Sequence, residues 1–390
     1  MRRMYTLRGI LFLMPVALAA VPAIAADWIS PQPLRPRQFG RIVNFGDSGS
    51  DVGNLRIFAP AYVQASFPSP PYYDGRFSNG PVWVEVLAGH LGVPVPTASL
   101  VGGPNATNYA YGGAQVVGHA SLNVPSLQDQ VALFLGKDNP GATDLFTFRG
   151  GGNDFSFGQT DPGVPTGAIR DLIVSLAERG ARHFLWAELA PIGSSPRRRG
   201  TPDEQRFNNL ATQFNALLAS HVAALRVQLG PSVAIYEFDT YGLYEQLFAR
   251  PGDFGLTNVT EPALSSLGPP PVIVADPDQY LYWDRTGHST RVFHRMQAEA
   301  MLPEPSPADF DHDFDVDVDD LKIFLACVSG PAVSYDAAQL PPACTVTPAG
   351  QSIPPDFDKD ADVDQDDFGI FQRCWSGANN PADPNCTAGG

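Results

Sequence analysis

The first 326 residues of this 390-residue chain contain no cysteine, so disulfides and thiolate metal sites are excluded from most of its length. The chain also lacks an excess of positive charge. Its 25 Lys and Arg residues against 41 Asp and Glu residues give a formal net charge of −16, which argues against nucleic acid as a partner. After the N-terminus there is no apolar run long enough to span a bilayer. What the chain does have is a hydrophobic content of 44%, enough for a packed core.

The N-terminal segment has the three parts of a secretory signal. Arg2, Arg3 and Arg8 form a basic region, residues 9–21 form a short apolar core, and residues 23–25 read Ala-Ile-Ala. Small residues in this pattern are typical of a cleavage site. The sequence therefore predicts a signal peptide over residues 1–25, cleaved near Ala25, and a mature protein that is secreted or held at the cell surface.

Charge and cysteine are concentrated at the C-terminus. Residues 303–390 carry 17 acidic and 3 basic residues, and so account for −14 of the net charge of −16. The same segment holds all four cysteines. A proline-rich stretch at residues 302–308 is typical of a stiff linker. We therefore expect two modules, one over residues 40–301 and one over residues 309–390.

Strand and helix patterns alternate through the first module. Short apolar strands are predicted at residues 42–45, 145–148, 183–187, 233–237 and 280–284. Helices are predicted at residues 81–91, before 135, and at 165–180, 203–229, 239–249 and 288–301. Residues 27–40 are predicted to be an irregular lead-in, and residues 59–80 a long loop. This alternation predicts an α/β fold with a parallel sheet covered by helices on both faces.

Ser48 is the candidate nucleophile. It follows the predicted strand at residues 42–45, after an abrupt Gly46-Asp47 turn. Open α/β sheets place their chemistry at the carboxyl ends of strands. A serine hydroxyl needs a neighbouring base to become reactive. The alternative is that Asp47 and Ser48 only cap the next helix.

The candidate base is His288. Six other histidines are present: His90, His119, His183, His221, His294 and His312. Most of these fall on predicted helices or a strand, and His119 lies in a loop without a nearby acidic residue. His288 instead comes just after Asp284, which follows an aromatic strand. A carboxylate in this position could hold the imidazole in the correct tautomer.

Two glycine-rich turns offer donors for an oxyanion. Gly112 and Gly113 follow one extended segment, and residues 150–152 followed by Asn153 end another. Glycine permits close backbone approach, and an Asn amide can donate to developing negative charge. The alternatives are simple turn geometry for the glycines and a helix cap for Asn153.

Five ordered blocks give the chain a resemblance to the GDSL esterases/lipases of the SGNH hydrolase superfamily over residues 40–301. The blocks are Phe45-Gly46-Asp47-Ser48 with Asp51-Val52-Gly53-Asn54, residues 74–80 (DGRFSNG), residues 108–114 (NYAYGGA), Gly151-Gly152-Asn153-Asp154, and residues 280–284 before His288. The resemblance implies a three-layer α/β/α, flavodoxin-like fold and no organic cofactor for catalysis.

The same resemblance assigns roles to individual residues. Ser48 would be the nucleophile, His288 the base and Asp284 the group that orients it. The oxyanion hole would consist of the Ser48 N–H, the Gly112 N–H and the Asn153 side chain, with Gly113 replacing Gly112 if the alignment shifts by one.

The sequence departs from the family pattern in two places. Gly49 stands where the family usually has Leu. The usual Asp-x-x-His spacing is one residue longer here, because Arg285, Thr286 and Gly287 separate Asp284 from His288. Gly287 could absorb the extra residue in a turn. Otherwise the carboxylate would come from elsewhere, with Asp276 and Asp278 nearest in sequence.

The C-terminal module contains a repeat at a spacing of 47 residues. Each copy places Asp at positions 1, 3, 5, 7, 9 and 12 of a twelve-residue loop, which is EF-hand spacing, with the position-7 residue contributing its carbonyl. The predicted Ca²⁺ ligands are Asp309, Asp311, Asp313, Asp315, Asp317 and Asp320 in the first loop, and Asp356, Asp358, Asp360, Asp362, Asp364 and Asp367 in the second. The pair resembles type I dockerin repeats, although Phe314 and Ala361 stand where Gly is usual. The alternative is a solvated acidic spacer.

The four cysteines allow three disulfide connectivities. We prefer Cys327–Cys344 with Cys374–Cys386, because each repeat then closes on itself. Metal ligation by these thiols is disfavoured, since no close Cys or His pairing exists.

The sequence thus predicts a secreted esterase or lipase that hydrolyses a lipid, a small ester or an acylated polysaccharide through an acyl-Ser48 intermediate. An acyltransferase with the same site is the first alternative. A non-catalytic secreted binding or surface protein that retains the scaffold is the second. The calcium-binding module would dock a protein partner, or would only add rigidity.

Overall fold

The computed structural model describes residues 28–58, 67–119, 123–378 and 380–388, so the predicted signal peptide lies outside the described residues. The strands are β1 (Ile29–Ser30), β2 (Arg41–Gly46), β3 (Asp144–Arg149), β4 (His183–Ala187), β5 (Ala234–Phe238), β6 (Asn258–Pro262), β7 (Leu264–Ser266), β8 (Val272–Ile273) and β9 (Tyr280–Tyr282). The helices are α1 (Asn54–Phe58), α2 (Trp83–His90), α3 (Leu127–Leu135), α4 (Gly152–Ser156), α5 (Gly163–Glu178), α6 (Asp203–Leu229), α7 (Thr240–Ala249), α8 (Arg291–Glu299), α9 (Val318–Cys327) and α10 (Gln365–Cys374).

The central sheet has the strand order β1-β5-β4-β3-β2. Strands β2 to β5 run parallel, and Gly46 at the end of β2 lies opposite Arg149 at the end of β3. Residues 108–111 extend along the outer side of β2, where the Tyr109 N–H donates to the Asn44 carbonyl at 2.8 Å. As a result, the turns that follow β2, β3 and this extended segment all lie at one edge of the sheet.

Helices cover both faces of the sheet, which confirms the predicted α/β architecture with a parallel-rich sheet. One hydrophobic cluster joins one face to α3, α5 and α6, and a second joins the opposite face to α2, α7 and α8. The strand residues are almost continuously buried, as expected for parallel strands between two helical layers.

Three sequence-based expectations need correction. The lead-in at residues 27–40 is not wholly irregular, because β1 pairs antiparallel with β5. Strand β9 does not belong to the central sheet but pairs with β6. The last helix of the first module begins at Arg291, so His288 lies in the preceding loop. In the first two cases the pattern is local, whereas strand pairing depends on residues far away in the chain.

The C-terminal module is built on α9 and α10, which pack through a small hydrophobic cluster that includes Phe324 and Phe371. Disulfides join Cys327 to Cys344 and Cys374 to Cys386, which confirms the preferred connectivity. Residues 302–308 form neither helix nor strand. Among the described residues, no helix has the length and apolar character needed to cross a bilayer.

Candidate active site

The turn that carries Ser48 is fixed on both sides. Gly46 at the end of β2 exchanges two hydrogen bonds with the Gln130 side chain of α3, at 2.8 and 2.9 Å. The Asp47 carboxylate accepts the Gly49 N–H at 2.9 Å. The Ser48 N–H itself makes no hydrogen bond to any residue that the structure describes. The turn therefore holds the Ser48 hydroxyl in place and leaves its backbone N–H available.

The structure brings the three predicted catalytic side chains together. His288 Nε2 lies 2.9 Å from Ser48 Oγ. His288 Nδ1 lies 2.6 Å from Asp284 Oδ2. These two contacts place an imidazole between a serine hydroxyl and a carboxylate, which is the geometry of a nucleophile, a base and an orienting group.

The extra residue between Asp284 and His288 is absorbed in a tight turn. Gly287 has φ +100°, and its N–H donates to the Asp284 carbonyl at 3.2 Å. Thr286 in the same turn donates its N–H and its hydroxyl to Asp284 Oδ1, at 2.9 and 2.6 Å. The longer spacing thus adds donors to the carboxylate without separating it from the imidazole.

The two alternative carboxylates make other contacts. Asp278 forms an ion pair with Arg291, and Asp276 accepts a hydrogen bond from Gln279 at 2.9 Å. Neither takes the place of Asp284 beside His288.

Asp284 is buried, with 6% of its surface exposed. Burial alone would raise its pKa, but the charge and N–H of His288, with hydrogen bonds from Thr286 and Tyr72, hold the pKa well below its ordinary value. The carboxyl group is therefore ionised at neutral pH and can stabilise an imidazolium on His288.

The prediction for the backbone oxyanion donor needs correction. The Gly112 N–H donates to the buried Asp51 carboxylate at 2.8 Å, so it is not available to a substrate. The N–H of Gly113, which has φ +80°, makes no hydrogen bond within the described residues. The Asn153 amide donates one hydrogen to the Ala114 carbonyl at 2.9 Å, and its second hydrogen has no partner in the described part of the chain. The Asn153 side chain is thus tied to the residue that follows Gly113.

Two buried carboxylates that the sequence did not single out hold these turns. Asp51 also accepts the N–H groups of residues 53–55 at the start of α1. Asp154, next to Asn153, accepts the Val116 and Val117 N–H groups at 2.9 and 3.2 Å. Burial raises the pKa of Asp51 and of Asp154 to about 6, against the lowering effect of these hydrogen bonds. Both lie inside the sequence blocks at residues 51–54 and 151–154, but a residue's place in a motif does not reveal which backbone groups its side chain contacts.

Aromatic side chains form one wall of the site. The Phe77 ring lies 4.7 Å from the His288 ring, centroid to centroid, and also contacts Phe67 and Tyr72. Phe77 is buried, whereas Phe67 is partly exposed. Both come from the predicted long loop at residues 59–80, so this loop supplies an apolar surface beside the base.

The other histidines lie away from the Ser48 hydroxyl. His294 is buried in α8, and burial, reinforced by the charges of Arg149 and His288, lowers its pKa to about 3. His119 pairs with Asp129 at 2.6 Å. Among the described residues, His288 is the histidine whose ring contacts the Ser48 hydroxyl.

The acidic loops bring predicted Ca²⁺ ligands close together. Each of four groups has carboxylate oxygens within 4.8 Å of one another: Asp309-Asp311-Asp320, Asp315-Asp317-Asp320, Asp356-Asp358-Asp367 and Asp362-Asp364-Asp367. Asp313 and Asp360 do not belong to these groups, and Asp313 lies 3.3 Å from Arg37 in an ion pair. Phe314 and Ala361 adopt φ +70° and +73°, so they make the turn for which Gly is usual.

Comparison with known proteins agrees with the geometry. Residues 42–301 match the family model described as GDSL-like Lipase/Acylhydrolase. The chain is 31% identical over 252 residues to a phosphatidylcholine-sterol acyltransferase of Aeromonas hydrophila, covering 63% of this chain and 70% of that protein. It is 29% identical over 339 residues to a GDSL esterase/lipase of Arabidopsis thaliana, covering 69% of this chain and 85% of the relative.

A solved structure with likeness to the chain is a member of the lipolytic protein G-D-S-L family from Veillonella parvula. The TM-score is 0.36 at 16% identity, covering 66% of this chain and 96% of the other. The family model spans well over half of the chain. The chain belongs to the GDSL-like lipase/acylhydrolase family and is a carboxylic ester hydrolase.

Proposed function

We propose that the protein is a serine esterase that works through an acyl-Ser48 intermediate. The observation that carries this proposal is the hydrogen-bonded series from Ser48 Oγ through His288 to Asp284, with distances of 2.9 and 2.6 Å. His288 Nε2 removes the hydroxyl proton as Ser48 attacks the ester carbonyl. Asp284 holds the imidazole tautomer and stabilises the imidazolium that forms.

The negative charge that develops on the carbonyl oxygen requires donors. We assign these to the Ser48 N–H, the Gly113 N–H and the second amide hydrogen of Asn153, because none of these three donors makes a hydrogen bond to a residue that the structure describes. His288 then gives its proton to the leaving alcohol. Water, activated by the same imidazole, releases the acid and restores Ser48.

Replacement of the nucleophile tests the mechanism. Ser48→Ala is expected to abolish turnover of p-nitrophenyl esters and labelling by a fluorophosphonate probe, with an unchanged melting temperature. Ser220→Ala, on the exposed face of α6, is the matched control. Retained turnover in Ser48→Ala would remove the assignment. A wild-type protein that neither turns over esters nor reacts with the probe would instead support a non-catalytic scaffold.

Acyl transfer with the same residues is the second candidate, because one relative is named as an acyltransferase. Both reactions share the acyl-Ser48 intermediate and differ in whether water or an alcohol attacks it. Product analysis with a competing alcohol separates them. Ester product in excess of free acid at low alcohol concentration would favour transfer.

We also propose that the mature protein is exported. The support is the basic and apolar N-terminal pattern of residues 1–25, together with two disulfides, which persist in oxidising compartments. Expression of the full chain in a secreting host, followed by N-terminal sequencing of the protein in the medium, is expected to show an N-terminus close after Ala25. Retention in the cell with residues 1–25 intact would contradict export.

We propose further that the acidic loops bind Ca²⁺. Asp356 and Asp362 are buried to more than nine-tenths, and Oδ1 of each has no hydrogen-bond partner among the described residues. A buried carboxylate oxygen without a donor is unfavourable unless a cation satisfies it. The second loop would thus use the carboxylates of Asp356, Asp358 and Asp367, with those of Asp362 and Asp364 on its other side.

Calcium titration by calorimetry tests this assignment. Asp358→Asn removes an exposed member of the ligand cluster and is expected to weaken binding, while Asp336→Asn, between the repeats, is not. Chelator is expected to lower the melting temperature of the C-terminal module and to leave ester turnover intact. Absence of Ca²⁺ binding would make the repeats an acidic spacer. A calcium-dependent pull-down separates a docking module from one that only adds rigidity.

A further inference from the structure

The buried carboxylate of Asp284 accepts hydrogen bonds from three residues. On Oδ1 it accepts the N–H and hydroxyl of Thr286, at 2.9 and 2.6 Å, and the His288 N–H at 3.4 Å. On Oδ2 it accepts His288 Nδ1 at 2.6 Å and the hydroxyl of Tyr72 at 2.7 Å. Tyr72 is the one donor that comes from a distant part of the chain, 212 residues before Asp284.

Tyr72 is held firmly in this position. It is buried, with 6% of its surface exposed, and its ring contacts Trp283 and Phe77 at centroid distances of 6.2 and 6.1 Å. Phe77 in turn lies against His288. Burial, together with the negative charge of Asp284, raises the pKa of the Tyr72 hydroxyl far above its ordinary value, so it remains a donor throughout the working pH range.

We propose that Tyr72 is a positioning residue for the ester-cleaving reaction, acting through Asp284. The Tyr72 hydroxyl donates to Oδ2 of Asp284, the same oxygen that accepts from His288 Nδ1. This hydrogen bond fixes the orientation of the carboxylate relative to the imidazole. It also gives the negatively charged Oδ2 of Asp284 a second hydrogen-bond donor. The inference rests on the proposed function, and it adds a fourth side chain to the series that activates Ser48.

The groups around His288 predict how the pH dependence of activity should change when the Tyr72 hydroxyl is removed. Asp284 and the Thr286 hydroxyl contact its Nδ1, Tyr72 reaches it through Asp284, and Ser48 contacts Nε2. The charges of His288 and Arg149 both act on the buried His294. Because loss of the Tyr72 hydroxyl leaves Asp284 with one donor fewer, the imidazolium form of His288 becomes more favourable. The acid limb of the pH–activity profile, which is its fall in rate at low pH, should therefore move to higher pH.

The test is Tyr72→Phe, which keeps the ring and removes the hydroxyl. We expect kcat on a p-nitrophenyl ester to fall about ten-fold, as for loss of a hydrogen bond to a charged group, with little change in KM. The acid limb of kcat/KM is expected to shift upward by about half a pH unit or more, in line with the removal of one hydrogen bond from the ionised carboxylate. Tyr73→Phe is the matched control, because Tyr73 is adjacent, exposed, and makes no hydroxyl hydrogen bond within the described residues.

A second pair of variants separates positioning from a general loss of folding. In an Asp284→Asn background, Tyr72→Phe is expected to cause no further fall in kcat. An equal fall in both backgrounds, or an unshifted acid limb in Tyr72→Phe, would overturn the proposal. NMR of the His288 Nδ1 proton provides a readout without substrate: its resonance should move in Tyr72→Phe and stay in Tyr73→Phe. This readout applies even if the esters tested are not substrates, so its failure is distinct from failure of the proposed function.

Discussion

The guanidinium group of Arg149 occupies the space that a side chain at position 49 would fill. A Cβ built on Gly49 would overlap Arg149 Nη1, which lies 3.2 Å from Asp47 in an ion pair. Arg149 ends β3 and reaches over the turn that carries Ser48. The structure thus gives a physical reason for Gly49, where proteins of this family usually have Leu.

This relationship predicts a coupled pair of substitutions. Gly49→Ala is expected to displace the guanidinium, break its pairing with Asp47, and lower the free energy of unfolding by about 1 kcal/mol, with a fall in kcat as the Ser48 turn loosens. In an Arg149→Ala background the added methyl group has room. A double-mutant cycle on unfolding and kcat should therefore give a coupling of at least about 0.5 kcal/mol. Additive effects would contradict the steric account.

The oxyanion assignment predicts a large effect of Asn153→Ala. Loss of one preorganised donor is expected to reduce kcat by about 10²- to 10³-fold, with KM nearly unchanged, because the donor acts mainly on the developing negative charge. Steady-state kinetics on p-nitrophenyl esters measures this. Asn209→Ala, on the exposed side of α6, serves as the control. A change confined to KM would indicate ordinary substrate binding by Asn153.

The turn between Asp284 and His288 predicts a specific role for Gly287. At φ +100° any side chain is strained, and a Cβ here would lie 2.8 Å from Ser195 Cβ. Gly287→Ala is therefore expected to shift His288 and reduce kcat at least ten-fold, since a displacement of about 1 Å can reduce the rate by 10².

Gly180→Ala is the matched control for Gly287. Gly180 has φ +109°, but a Cβ there would make only an ordinary contact with the Pro140 carbonyl, at 3.5 Å. Both variants should lose stability from backbone strain, by about 1 kcal/mol. Only Gly287→Ala should also lose activity at a temperature where both are folded. Equal activities would show that the turn tolerates displacement.

Stability should decrease with rising pH because of Glu188. Burial, with the adjacent charge and hydrogen bond of Asp239, raises the pKa of Glu188 to about 8. In the unfolded chain the pKa is about 4.3, so between these values the folded protein holds a proton that the unfolded chain has released. The free energy of unfolding should therefore fall as pH rises through this range and level off above it.

Glu188→Gln removes this dependence. From pH 7 to 9, above the titration of Asp51 and Asp154, the melting temperature of the wild type should fall more steeply than that of the variant. Glu245→Gln, an exposed change on α7, should follow the wild type. Parallel curves for wild type and Glu188→Gln would show that Glu188 is ionised in the folded protein.

Much of the fold follows from local pattern. The helix predicted at residues 203–229 matches α6, and the strand predicted at residues 183–187 matches β4, because apolar periodicity and turn residues act within a few positions. Strand β1 was not predicted, because its two residues become a strand only through pairing with β5. Strand β9 was predicted, but its partner was not, for the same reason.

The backbone oxyanion donor shows the limit of motif reasoning at the site. Gly112 and Gly113 are adjacent and chemically identical, and the sequence-based prediction chose Gly112, with Gly113 as the substitute. The distinction comes from Asp51, which accepts the Gly112 N–H from 61 residues away, whereas the Gly113 N–H has no partner among the residues that the structure describes.

By itself the sequence determined the α/β architecture and the disulfide preference, and it named Ser48, Asp284 and His288 as candidates, because motifs and periodicity are properties of neighbouring residues. Only the tertiary structure decided that Asp284 reaches His288 across an extra residue, that Tyr72 joins them, and that Arg149 fills the space above Gly49. Hydrogen bonds and steric contacts act over a few ångströms, and only folding brings residues more than 200 positions apart within that range.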